Sequence, residues 1–250
     1  MRLSPLTKFI VLCAPIFVIA PSAHATWLGI LGIESAKTVQ KTSKKETSQT
    51  ETILQGVNLD LGGFKIDNTT AAKWNSEGAM SVARNWSYGY WNDNHGVSLD
   101  LIKGDFSGVG PSIYSIGYAY KDCWDSFCLR VNPALARLNY KGSDKTEKDE
   151  GFQLNVKMDY KVNDFFNIGF HPQYATWQDD KNGATLKLDF NATMNLGDSG
   201  KHKLMLVHEA FAVNNEATNM KTRFVGERSP VAGYVQGTES AVKLRYIYRF

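Results

Sequence analysis

The sequence predicts an all-β chain, a transmembrane antiparallel up-and-down β-barrel of about ten strands. Three observations predict it. Apolar residues recur at every second position over long stretches from Ile53 onward. The connections between those stretches alternate between short and long. Aromatic residues collect at one end of the stretches.

The elements follow in chain order. Arg2 and Lys8 give a positive start, Phe9 to Ala20 is an apolar run of 12 residues, and Ala23-His24-Ala25 is a small-x-small site. Residues 1-25 therefore read as a secretory signal peptide cut after Ala25, since the apolar run is too short to span a bilayer as a helix. Removing Arg2 and Lys8 from the 28 bases leaves 26 against 25 acids. A near-neutral mature chain argues against nucleic acid as a partner. No later segment is apolar over the ~18 residues a transmembrane helix needs, so a membrane form of this chain must use strands.

Residues 26-52 have a different character. After a short apolar patch from Trp27 to Ile33, Glu34 to Thr52 is almost wholly Ser, Thr, Lys, Glu and Gln. Such a segment buries too little apolar surface to order itself, and it is expected to be a polar periplasmic tether. The barrel is expected over 53-250.

Alternation is clearest in Phe152, Leu154, Val156, Met158, Tyr160 and Val162, and in Ala184, Leu186, Leu188, Phe190, Ala192 and Met194. A period of two sorts these residues onto one face of a strand, whereas a helix would scatter them. Ten such strands are expected near 53–63, 78–91, 95–103, 112–122, 128–140, 151–162, 165–176, 184–195, 202–214 and 240–250. Most exceed the roughly five or six residues of a globular strand and match the 9–11 of a tilted membrane strand. A further hairpin around Arg228-Ser229-Pro230 would raise the count to twelve.

Counted from a periplasmic start, Asn92–Asn94, Cys123–Phe127, Asn163–Asp164 and Leu196–Lys201 are inward turns. Lys65–Glu77, Gly104–Pro111, Lys141–Glu150, Trp177–Gly183 and Asn215–Glu239 are the generally longer outward loops. That asymmetry is typical of outer-membrane barrels. Trp86, Tyr88, Tyr90, Trp91, Tyr118, Tyr120, Trp124, Phe165, Phe166, Tyr246, Tyr248 and Phe250 fall at the inner end and are expected to form an interfacial girdle. Two features fit poorly. Arg84 shares the face read as apolar with Val82 and Trp86. His208 and Glu209 are neighbours, so one of them faces lipid unless a bulge intervenes.

Val242, Leu244, Tyr246, Tyr248 and Phe250 form one face of the last strand, with Lys243, Arg245 and Arg249 opposite. This pattern resembles the terminal strand of Gram-negative bacterial outer-membrane β-barrel proteins as a class. The resemblance covers about ten residues and, with the signal peptide, implies the cell outer membrane. It also implies outer-membrane lipid and the barrel-assembly machinery as partners.

The expected lumen-lining set is Asp60, Asp100, Arg130, Arg137, Lys157, Asp159, Lys161, His171, Lys187, Asp189, Lys243, Arg245 and Arg249, eight bases and four acids. Such a set either pairs across a closed structural barrel or lines a narrow porin-like channel with mild preference for small anionic solutes. The alternatives are surface recognition through the outer loops and a lipid-modifying enzyme. The latter lacks a Ser–His motif, metal-ligand spacing or phosphate loop, so no catalytic residue, cofactor or metal is expected. Cys123 and Cys128 are expected to form a disulfide in the oxidising compartment.

Overall fold

The computed structural model describes residues 26–39, 44–60, 63–75, 80–104, 112–141, 146–180, 182–213 and 238–249. The expected signal peptide, the hairpin around Pro230 and Phe250 lie outside these residues. Twelve antiparallel strands follow one another: β1 Thr26–Val39, β2 Lys44–Asp60, β3 Lys65–Asn75, β4 Met80–Tyr90, β5 His95–Gly104 and β6 Ser112–Trp124. They continue with β7 Phe127–Lys141, β8 Thr146–Lys161, β9 Phe166–Trp177, β10 Ala184–Leu196, β11 His202–Val213 and β12 Thr238–Arg249. Each pairs with its sequence neighbour, and β1 pairs with β12 from Ile30↔Arg249 to Val39↔Ser240, closing the ring. A twelve-strand ring tilted by about 40° measures roughly 24 Å between opposite backbone walls.

The ten expected strands correspond to β2 and β4 through β12. The two extra strands replace two other readings. Thr26–Val39 is a strand and Lys44–Asp60 another, where a tether was expected over 26-52. Lys65–Asn75 is a strand, where a long outward loop was expected. The physical reason is closure. An open sheet edge in lipid leaves backbone N–H and C=O groups unsatisfied at several kcal/mol each, so a segment with weak apolar contrast is still drawn into the ring. Two strands are added, so every later element keeps its expected direction.

The inward turns are tight and use side chains as backbone substitutes. Asn92 Oδ1 accepts from the amides of Asn94 and His95 at 2.9 and 2.6 Å, and Asn163 Oδ1 accepts from Phe165 and Phe166 at 2.9 and 2.8 Å. Asp125 adopts φ 50° in the two-residue turn between β6 and β7. One face of the ring carries Val97, Ile116, Leu135, Phe152, Ile168, Phe190, Leu206 and Leu244, large apolar side chains that stay exposed, Leu135 at 70%. Exposure of that kind around a closed ring means the apolar medium lies outside.

Candidate functional site

Directly opposed residues of neighbouring strands share a face, so the ladders decide which side chains enter the lumen. Asp100 opposes Trp86 and Ser115, Arg130 opposes Lys121 and Lys157, and Glu209 opposes Asp189. Followed round the ring, this face holds Asp100, Arg130, Lys157, Asp159, Lys161, His171, Lys187, Asp189, Lys243 and Arg245. Asp60 and Arg249 occupy ladder positions of the same face, opposite Lys65 and Ile30, and their side chains are outside the described part.

Arg137 is a correction. It opposes Glu150 on the outer face, 3.4 Å from it, and both side chains are more than half exposed. Seven residues separate Arg137 from Arg130, so an unbulged strand turns them to opposite faces. Near the outer end of β7 the pair sits where charge is tolerated.

β4 is a second correction. Trp86, Tyr88 and Tyr90 point into the barrel, together with Arg84, and do not belong to the interfacial girdle. From Asn68 to Ala72 and from Ala83 to Gly89, the outward positions of β3 and β4 are small or polar: Asn68, Thr70, Ala72, Ala83, Asn85, Ser87 and Gly89. There Asn68 donates to Ser87 Oγ at 2.6 Å, and Asn85 donates to Thr70 Oγ1 at 2.7 Å, so these groups satisfy one another. Arg84 therefore faces no lipid; it forms an ion pair with Asp100. The outward aromatics at the inner end include Tyr118, Tyr120, Trp124, Phe127, Tyr160, Tyr246 and Tyr248. Two histidines join them. His95 Nδ1 meets the Tyr118 hydroxyl, and His202 Nδ1 meets the Tyr246 hydroxyl at 2.5 Å.

Among the described side chains, charge at mid-lumen collects in three groups. On β10 to β12, Glu209 bridges Lys187 at 2.9 Å and Lys243 at 3.1 Å, while Lys187 also holds Asp189 at 3.0 Å. Gln173 donates to Asp189 at 3.1 Å beside His171. On the diametrically opposite wall, Arg84 pairs with Asp100 and lies 4.7 Å over the Trp86 ring. Between these walls, Lys121 pairs with Asp67 at 3.1 Å and Lys157 with Asp159 at 3.2 Å. Lys161 is at the inner rim, 2.6 Å from Asp164 in the following turn, and holds that carboxyl below its usual range. Lys65 does the same to Asp93 in the turn after β4.

At the outer mouth, buried Asp149 accepts from Asn182 Nδ2 at 2.6 Å and from the Asp179 amide at 3.3 Å, pinning the β9–β10 loop. The Trp177 ring lies over Gly151 on the facing strand, where a Cβ would meet it at 2.7 Å. Cys123 and Cys128 oppose each other across the β6–β7 hairpin and are disulfide-bonded. His208 and Glu209 point to opposite faces along an unshifted ladder, so they cannot serve one catalytic site. Among the described residues, no helix is long and apolar enough to cross a membrane.

The sequence reading missed Lys65, Asp67, Arg84, Lys121, Glu147, Asp149, Lys203 and Glu209 as lumen residues. A signal for Arg84 existed. Counting both ways from the Asn92–Asn94 turn sets Trp86 opposite Asp100, which assigns the whole β4 face.

No protein-family model and no curated protein matches the chain. Solved structures do resemble it. A structure of the NanC porin is similar at TM-score 0.56 and 9% identity, covering 88% of this chain and 100% of that one. An outer membrane channel from Pseudomonas putida F1 is similar at TM-score 0.53 and 12% identity, covering 93% and 97%. A bacterial polysaccharide outer membrane secretin follows at 0.51 and 8%, covering 89% and 98%. Identities this low speak for the fold. With the apolar outer belt, they make the chain a membrane-spanning β-barrel of the porin type of fold.

Proposed function

We propose that this barrel is a narrow, water-filled channel with a modest preference for small anionic solutes. One observation carries the reading. Inward side chains at mid-depth remain accessible to water, with Arg84 28%, Lys187 26% and Glu209 24% exposed, although they lie inside a closed ring. A core packed to native density would leave them far less. Twelve strands also enclose a wider lumen than the eight that side chains alone can fill.

The preference follows from the charge count. Among described side chains, the inward face carries Lys65, Arg84, Lys121, Arg130, Lys157, Lys161, Lys187, Lys203, Lys243 and Arg245. Against them stand Asp67, Asp100, Glu147, Asp149, Asp159, Asp189 and Glu209. The surplus is positive but small, because most of these bases have an acid beside them. Fixed positive charge in a low-dielectric wall raises the local concentration of anions.

Full-length protein in planar bilayers should show small conductance and an anion-side reversal potential in a salt gradient. The preference should weaken as salt shortens the screening length below about 10 Å. Arg245→Glu changes the lumen charge by two units and should reduce or invert the preference. Cation preference in the unaltered protein, or no conductance at all, would refute the channel. In the same reading the N-terminal segment is cleaved on export, leaving Thr26, and the outward aromatics of β12 are the strand the assembly machinery recognises. Intact-mass analysis of membrane-derived protein tests the first part.

A further inference from the structure

We propose that Lys121, Arg130 and Lys157, together with the Tyr88 ring, form an internal binding site for a carboxylate carried on a flat ring. The proposal names a solute class for the lumen and so rests on the channel reading for its biological use.

The three cations are direct cross-strand neighbours on β6, β7 and β8, and all face the lumen. Side chains so opposed lie about 5 Å apart, and like charges in that arrangement destabilise a sheet. A row of three is unfavourable unless negative charge lies beside it. Asp67 answers Lys121 at 3.1 Å and Asp159 answers Lys157 at 3.2 Å. No carboxylate forms an ion pair with Arg130 among the described residues, and Arg130 stands at the centre of the row. Three bases against two acids leave one positive charge, which suits a monoanion. An arginine there offers the planar fork that receives a carboxylate with two hydrogen bonds.

The aromatic part of the site comes from β4. The Arg130 guanidinium lies 4.5 Å from the Tyr88 ring centroid, and Lys121 Nζ lies 3.9 Å from that of Tyr90. These contacts hold both cations against the wall and leave their donors toward the lumen. Tyr88 and Trp86 are only half-buried, so a planar solute can lie along them while its carboxylate meets Arg130. The buried Tyr90 hydroxyl has no hydrogen-bond partner among the described residues, an uncompensated polar group beside the row. The site sits three residues from the inner end of β6, roughly 8 Å above the periplasmic rim at the rise of a tilted strand.

The test uses benzoate as the probe, acetate as the carboxylate without a ring, and phenol as the ring without a carboxylate. Binding to full-length protein in detergent is followed by calorimetry, and block of chloride current in bilayers is the second readout. Benzoate should bind about tenfold more tightly than either control, and Arg130→Gln should weaken it by about tenfold. Tyr88→Leu should bring benzoate down to the level of acetate, and it decides the question if Arg130→Gln does not fold. Arg137→Gln, on the outer face, should change nothing. Equal binding of benzoate and acetate, phenol as strong as benzoate, or benzoate binding undiminished in both site variants would overturn the proposal. Calorimetric binding without any chloride current would uphold this site and refute the channel alone.

Discussion

Glu209→Gln tests the lumen at its most connected point. The Glu209 carboxylate has Lys187 at 2.9 Å and Lys243 at 3.1 Å, and the three side chains are 24%, 26% and 15% exposed. At about 3 Å and an effective dielectric constant of roughly 40, each pair carries ~3 kcal/mol of gross Coulomb energy. More than half of that offsets the desolvation of three charges, and the amide of the variant keeps part of the hydrogen bonding. The expected net loss is about 2 kcal/mol, measured by denaturant unfolding in lipid vesicles with tryptophan fluorescence as the signal. Adding Lys243→Gln to the variant should recover part of the loss through a coupling energy of about 1 kcal/mol. The same substitution adds one unit of positive lumen charge, so anion preference should rise. A stability loss under about 0.5 kcal/mol, or a shift toward cations, would refute both the bridge and the hydrated lumen that surrounds it.

Three further outcomes follow from named contacts. Gly151→Ala places a Cβ against the Trp177 ring and the Thr176 carbonyl, and should cost about 1–3 kcal/mol in the same unfolding assay. Replacing both Cys123 and Cys128 by Ala should lower stability by no more than about 2 kcal/mol, since the closed loop is short, and heat-resistant folded barrel should still form. Asp93 titrates below the ordinary carboxylate range because Lys65 hydrogen-bonds its charged form. That contact contributes stability above the unfolded value, and the contribution disappears as pH falls through the lowered folded value. Carboxyl NMR titration should show Asp93 returning to its ordinary range in Lys65→Met; an unmoved titration would remove the contact from the fold.

Much of the ring was legible because lipid enforces alternation. β8, β10 and β12 show large apolar residues on one face and charged or polar ones on the other; β10 and β12 end within two residues of expectation, while β8 begins at Thr146, well before the expected 151. β3 was not legible for the opposite reason. Lys65, Asp67, Thr69 and Ala71 alternate with Ile66, Asn68, Thr70 and Ala72, so neither set stands out as apolar. Its place comes from ladders on both sides, which hydropathy does not encode. β4 alternates strongly but with the sign reversed, since its large residues enter the lumen and its small ones face out. Periodicity reports that two faces differ; only pairing to a neighbour says which of them is inside. Among the charges, Arg137 shows the same ambiguity: it lies an odd number of positions from Arg130, and only an unbulged β7 ladder puts the two on opposite faces.

The β1–β12 ladder has a kinetic consequence. Eleven of the twelve strand pairings join sequence neighbours, all but β11 and β12 across short connections, and can zip in succession. The twelfth brings Ile30 to Arg249, across nearly the whole chain. Loop-closure entropy makes such a contact slow to nucleate, and it gains nothing until the hairpins on either side exist. The seam should therefore be the last hydrogen-bond ladder to form. Until it does, both edges expose unpaired backbone to lipid or to another chain. The lifetime of that open sheet sets how long the protein is vulnerable to mispairing. A substitution in β1 would then slow closure even where it leaves the finished barrel equally stable.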